Sequence, residues 1–167
     1  MNKALMVSIR SEWLEMILNG KKTFEFRDWK VEKGTVIYFY CTKAKPILYD
    51  GYKEYIGHND FKEDSWQLNG KVVAKAVVDE VYEPYKDYIY NACGQGYTDQ
   101  RYALELTNIE AIEPRELTSF IGYKKANRVK HIAESFEELI KRENRLSTNI
   151  RITHAPQSRV WVLEEVR

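Results

Sequence analysis

The sequence predicts an α+β protein, a small mixed β-barrel with helices packed on its outside. Three observations lead there. The chain opens with a strand-sized apolar run, passes at once into a helical pattern, and then keeps strand periodicity for most of its length. Its strand-like runs are short, β-branched and aromatic, and are separated by Gly and Pro. The second strong helical pattern comes late, just before a last strand. Strands and helices therefore do not alternate regularly, which disfavours a doubly wound parallel sheet and favours a bent, barrel-like one.

Each element has its own warrant. Residues 4–9 are short and apolar and suit a strand. Ser11 reads as the N-cap of a helix over 11–19, in which Trp13, Leu14, Ile17 and Leu18 recur at helical spacing and Gly20 supplies the stop. The period then becomes two: Phe24 and Phe26 point one way, while Thr23, Glu25 and Arg27 point the other. Residues 35–42 are β-branched and aromatic throughout, a central strand. Residues 43–68 read as a long loop. Asn69-Gly70 is a turn signal that launches a strand over 71–81, stopped by Pro84. A Tyr- and Gly-rich excursion over 85–98 precedes a strand over 102–112, which Pro114 is expected to end. A helical turn near 117–121, an amphipathic helix over 128–144 and a strand over 160–166 complete the chain. The whole reads as one domain spanning 1–167, with insertions near 44–68 and 83–100.

Composition narrows the function classes. Of 167 residues, 44% are hydrophobic and 31% charged, values of a folded globular chain. Net charge is +1, which excludes a histone-like binder acting through bulk charge but leaves room for a local basic cleft. No apolar run approaches the roughly 20 residues of a membrane helix, and residues 1–10 lack a secretory h-region, so a cytoplasmic location and no membrane partner are expected. Cys41 and Cys93 do not suggest a disulfide framework. His58, His131 and His154 show no metal-ligand spacing with each other or with the cysteines, and no cofactor or metal is expected. The one anomaly is 13% aromatic residues, including 12 Tyr; this is either a Tyr-rich packed surface or a stock of stacking platforms.

The most informative segment is Gly20-Lys21-Lys22-Thr23-Phe24-Glu25-Phe26-Arg27. Alternation places Glu25 and Arg27 on one face, about 7 Å apart along the strand. They form either a surface salt bridge worth under about 1 kcal/mol, or the lining of a pocket in which Arg27 grips phosphate and Glu25 accepts from a base edge. Lys124, Lys125, Arg128 and Lys130 form a separate basic cluster around the start of the late helix, either a solvated face or a contact for an anionic partner.

Gly-x-Lys-x-x-Glu-x-Arg, carried by Gly20, Lys22, Glu25 and Arg27, resembles the signature of ASCH domains, relatives of the activating signal cointegrator domain. Tyr40-Cys41-Thr42-Lys43, Leu68-Asn69-Gly70-Lys71-Val72-Val73 and Ala155-Pro156-Gln157-Ser158 extend the resemblance, in order, towards bacterial and phage-type members. The resemblance implies a PUA-like barrel whose cleft is lined by Lys22, Glu25, Arg27, Lys43 and Ser158. It further implies binding of RNA or of a modified nucleoside or nucleotide there. In that reading Arg27 and Lys43 hold phosphate, Glu25 reads a base, Trp29 and Tyr40 stack, and Gln157 and Ser158 complete the ligand contacts.

Two enzymatic readings also follow from the resemblance. One ASCH branch resembles amidohydrolases that deacylate acetylated cytidine with a Lys, a Thr nucleophile and a Glu; Lys22 matches their Lys, but Glu25 stands where their Thr would be. Another resembles a metal-independent ribonuclease using a Tyr, a Lys and a Ser, types supplied by Tyr40, Lys43 and Ser158. Catalytic candidates are thus Lys22, Glu25, Lys43, Tyr40 and Ser158. A third reading is a regulatory protein-interaction module built on the Tyr-rich residues 82–102, with no protein partner specified.

Overall fold

The computed structural model describes residues 2–43, 68–87, 89, 100–129, 138, 141 and 150–164. They build a curled six-stranded sheet with few helices. In chain order the elements are β1 (Lys3–Ile9), α1 (Ser11–Leu18), β2 (Phe24–Arg27), β3 (Val36–Cys41), β4 (Val72–Tyr82), β5 (Tyr102–Arg115), α2 (Tyr123–Val129) and β6 (Arg159–Leu163). A single 3-10 turn, Leu117–Ser119, follows β5. The strand order is β2-β5-β4-β3-β1-β6, with β1 parallel to β3 and every other pair antiparallel. The expected mixed, barrel-like α+β sheet is what forms.

Sheet curvature comes from the long central strands. The β4–β5 ladder shifts register between Val72 and Ala74, between Lys75 and Val77, and between Val78 and Glu80. Each shift bends and twists the ladder, so the sheet rolls towards a half-barrel. Asn108 lies at one such irregularity with φ 48°, a left-handed conformation that Asn tolerates better than most side chains. β5 also runs past Pro114 to Arg115, whereas the sequence suggested that Pro114 would end it. β2 pairs with β5 only as far as Glu105, so Pro114 lacks a ladder partner on that side and its missing N–H costs no sheet bond there.

Two layers of side chains sit on the two sides of the sheet. The inner cluster holds Leu5, Val7, Ile37, Phe39, Val73, Val78, Leu104 and Leu106, closed by Leu14 and Ile17 of α1. Each fully buried aliphatic side chain there contributes roughly 1.5–3 kcal/mol. The outer cluster joins Ala4, Met6, Tyr38, Tyr40, Val72 and Val162 under Phe120 and Ile152. Tyr38 packs edge-on to Phe120 at 5.1 Å as part of the barrel wall.

One helix boundary differs from expectation. Ser11 is the first helical residue of α1, and extended Arg10 stands at the N-cap position. A seven-residue helix over Tyr123–Val129, its first turn closed by the Ala126 N–H on the Gly122 carbonyl, overlaps the expected 128–144 helix only at its first residues. Most of the expected 128–144 span lies outside the described residues, as do most of the 43–68 loop and most of the 85–98 excursion. Among the described residues no helix is long and apolar enough to cross a membrane.

Candidate functional site

The site begins where α1 stops. Gly20 takes φ 80° and its N–H bonds the Ile17 carbonyl, while the Lys22 N–H reaches the Met16 carbonyl at 2.9 Å. This termination turns the chain sharply and tucks Lys22 beneath β2. Lys22 is only 1% exposed. Its ammonium donates to the Phe24 carbonyl at 2.6 Å and lies 5.0 Å from the Phe26 ring centre and 5.8 Å from that of Trp13. Lys22 is therefore not an exposed phosphate grip. It is a buried cation enclosed by a carbonyl, two aromatic faces and Glu25.

β2 then acts as the alternation requires. Phe26 joins Ala103, Phe24 and Tyr82 on one side. Glu25, opposite Leu104 in the ladder, turns to the other side with Arg27. Arg27 Nε donates to Glu25 Oε1 at 2.9 Å, and Lys22 Nζ lies 3.4 Å from Glu25 Oε2. Glu25 is thus clamped between two cations. Its Oε2 is buried and accepts no hydrogen bond among the described residues. The Lys22 ammonium at 3.4 Å compensates that oxygen as an ion pair. The second arm of the Arg27 fork donates from Nη2 to the Ser8 carbonyl at 2.8 Å. That bond ties β2, at one end of the strand order, to β1 near the other, and so draws the barrel mouth together.

The rest of the lip comes from the segment before β6. Ser8 N–H bonds the Ser158 carbonyl at 3.2 Å, and Ser8 Oγ donates to the Pro156 carbonyl at 2.6 Å. These bonds dock the Ala155-Pro156-Gln157-Ser158 element on β1. The Trp29 indole N–H donates to Ser158 Oγ at 3.0 Å. Two guanidinium groups attend the same indole: Arg27 at 5.7 Å and Arg159 at 4.4 Å from the ring centre. Arg27 is 16% exposed at its side chain, and Arg159 is exposed.

So the structure gathers Lys22, Glu25, Arg27, Trp29 and Ser158 in one connected cluster. Gln157 is exposed beside it. Lys43 is exposed past the end of β3, with its aliphatic stem laid across Gly70; a Cβ there would come within 2.9 Å of Lys43 Cε. Gly70 has φ 84° and is the pivot of the turn closed by Lys71 N–H on the Leu68 carbonyl. Tyr40 sits opposite Ser8 in the β1–β3 register but is 3% exposed and packed in the outer cluster. Burial first, then electrostatic repulsion from the Cys41 thiolate at high pH and from Glu116, pushes its hydroxyl pKa up, so it holds its proton as a phenol. Sequence reading missed Ser8 and Arg159. Ser8 acts mainly through its backbone, which no side-chain pattern reveals. Arg159 directly follows the Ala-Pro-Gln-Ser element, and that adjacency was the available signal.

His154 is exposed and hydrogen-bonds Thr153. Cys41 is a free, fully buried thiol whose pKa burial raises to about 11. No group of three metal-ligating side chains converges among the described residues.

The family model described as the ASCH domain matches residues 7–116, well over half of the chain. The chain belongs to the ASCH domain family. Its matched span includes the Lys22–Glu25–Arg27 cluster but stops short of Ser158. Among solved structures, the ASCH protein from Zymomonas mobilis is similar at 15% identity, with a TM-score of 0.51, covering 96% of this chain and 88% of that one. Two variants of that protein, one with a tyrosine replaced by phenylalanine and one with a serine replaced by alanine, each align at 17% identity with a TM-score of 0.48. The first covers 98% of this chain and 92% of its own, the second 96% and 89%. No curated protein matches the chain. At such identities the likeness to the wild-type Zymomonas structure establishes the fold alone, and the ASCH, PUA-like barrel inferred from the sequence motifs is the fold observed. The family is of a generic RNA-binding, PUA-like kind.

Proposed function

We propose that this ASCH domain binds RNA, or a nucleotide-like fragment of it, at the barrel lip formed by Arg27, Trp29, Ser158 and Arg159, with Glu25 behind them. The supporting observation is the environment of Trp29. Its ring is attended by two guanidinium groups and its N–H is held by Ser158. An aromatic face beside guanidinium planes is the combination that unstacked bases and their phosphates recruit. Glu25 stands behind the lip and fixes the Arg27 guanidinium through its Oε1, while Lys22 lies at its Oε2. Lys22 serves by holding Glu25 in place, not by touching the ligand. Lys43 and Gln157 lie outside this cluster as outer contacts.

The test is anisotropy titration of short labelled oligoribonucleotides against the intact chain. Trp29→Ala and Arg27→Ala are each expected to raise Kd about tenfold or more, since a stacked base or a charge-assisted contact carries about 1–3 kcal/mol. Unchanged affinity in both, with far-UV circular dichroism unaltered, overturns the reading. The same samples analysed by mass spectrometry report turnover. A new product that vanishes in Glu25→Gln replaces binding with hydrolysis as the function.

A further inference from the structure

The described surface carries a second cationic feature, apart from the Glu25 cluster. Between α2 and β6 lies a cavity of about 490 Å³ lined by Gly122, Lys124, Lys125, Arg128, Arg159 and Trp161 among others. All four cations are exposed. Among the described residues none of the four makes an ion pair, although six other ion pairs form elsewhere on the fold. The net charge of the chain is only +1, so this concentration is local and not a reflection of overall basicity. Lys3 is not part of the lining, but its ammonium lies 4.6 Å from the ring centre of Trp161, which is, and 5.9 Å from that of Tyr123.

Arg159 joins this groove to the lip. Its guanidinium lies 4.4 Å from the Trp29 ring while the same residue borders the groove. Trp161 follows two residues later on the same face of β6, about 7 Å along the strand. A path of positive charge with aromatic faces thus runs from Trp29 past Arg159 to Trp161 and α2. Lysines on flexible stems suit successive phosphates, which need charge more than fixed geometry. A single small anion would not use cations spread over a helix and a strand.

We infer that the α2–β6 groove is a second subsite that carries the phosphodiester backbone of a single-stranded RNA as it leaves the lip. The inference rests on the lip reading for its starting nucleotide, but the groove is separately testable. Lys124→Ala, Lys125→Ala and Arg128→Ala combined remove three exposed charges. For an oligouridylate of about twelve nucleotides, within the length range that such grooves accommodate, the slope of log Kd against log salt is expected to become shallower by about 2, at roughly 0.7 per phosphate contact on single strands. Affinity at low salt falls by tenfold or more, uridine monophosphate binding stays at the wild-type value, and Lys124→Arg with Lys125→Arg keeps both. An unchanged slope and affinity for the longer oligomer overturns the groove and leaves the lip standing. Groove-dependent binding of the longer oligomer without any effect of Trp29→Ala upholds the groove and overturns the lip. Equal binding of heparin or of vesicles rich in phosphatidylserine, competing with the oligomer, overturns RNA as the occupant. Failure of the wild-type chain to bind any oligomer overturns both.

Discussion

Lys22 and Lys124 carry the same ammonium group and do opposite work. Lys22 is 1% exposed, hydrogen-bonded to Phe24 and ion-paired with Glu25. Lys124 is exposed on a groove whose other charged side chains are all positive. The difference shows that burial, not residue type, decides what a cation can be used for. A buried charge must be compensated within the fold and so becomes part of the architecture. An exposed one is cheap to keep and remains available to a partner, with a strength that salt tunes.

The harshest way to break this contrast is to remove the Glu25 carboxylate. Glu25→Ala leaves Lys22 charged and buried without its counter-ion, and is expected to lower the unfolding free energy by about 3–5 kcal/mol in urea denaturation. A loss under about 1 kcal/mol would mean that Lys22 is not held in the way its contacts indicate. The next largest effect comes from buried groups that are neutral. Burial raises the Cys41 thiol to about 11 and also raises Tyr40. A raised folded-state pKa means that the unfolded chain loses the proton first. Stability is therefore complete below about pH 9 and declines as pH climbs from there towards 11, by up to about 2–3 kcal/mol from Cys41. Cys41→Ala should flatten that alkaline limb, and a limb that persists unchanged would remove Cys41 as its source.

A subtler substitution sharpens the comparison within the lip. Arg27→Lys keeps the charge but cannot bridge Glu25 Oε1 and the Ser8 carbonyl from two nitrogens at once. It is expected to cost about 1–2 kcal/mol and to weaken RNA binding. Melting and anisotropy on the same preparation separate those two losses. The smallest expected change is at the groove. Lys124→Ala should move stability by no more than about 0.5 kcal/mol, as ordinary surface substitutions do. A larger shift would mean that this lysine belongs to the architecture after all.

What could be read from the chain followed the range of the interactions involved. The Gly20 stop, the alternation of β2 and the Leu68–Lys71 turn are local, and the motifs that carry them also carried the family resemblance. Glu25 and Arg27 sit on one face because strand geometry leaves them no other choice. Long-range facts were not legible. Nothing in the spacing of Lys22 distinguishes a buried cation from a cleft lysine; that depends on Trp13 and Phe26 closing over it. Pro114 stayed in its strand because β5 has lost its β2 neighbour by then, a property of sheet order. The pairing of Ser8 with Ser158, 150 residues later, and the placing of Arg159 against Trp29 arise from register alone.

The place of β1 in the sheet has a consequence for synthesis. β1 lies between β3 and β6, and its register with β6 runs from Lys3 opposite Leu163 to Val7 opposite Arg159. As the chain emerges from a ribosome, one edge of its earliest strand stays uncovered until this late segment arrives. A nascent or prematurely truncated chain therefore offers Ala4–Val7 as a naked apolar edge, open to pairing with another copy. The same late arrival brings Ser158 and Arg159 to Trp29. The lip therefore forms only once this segment has joined β1.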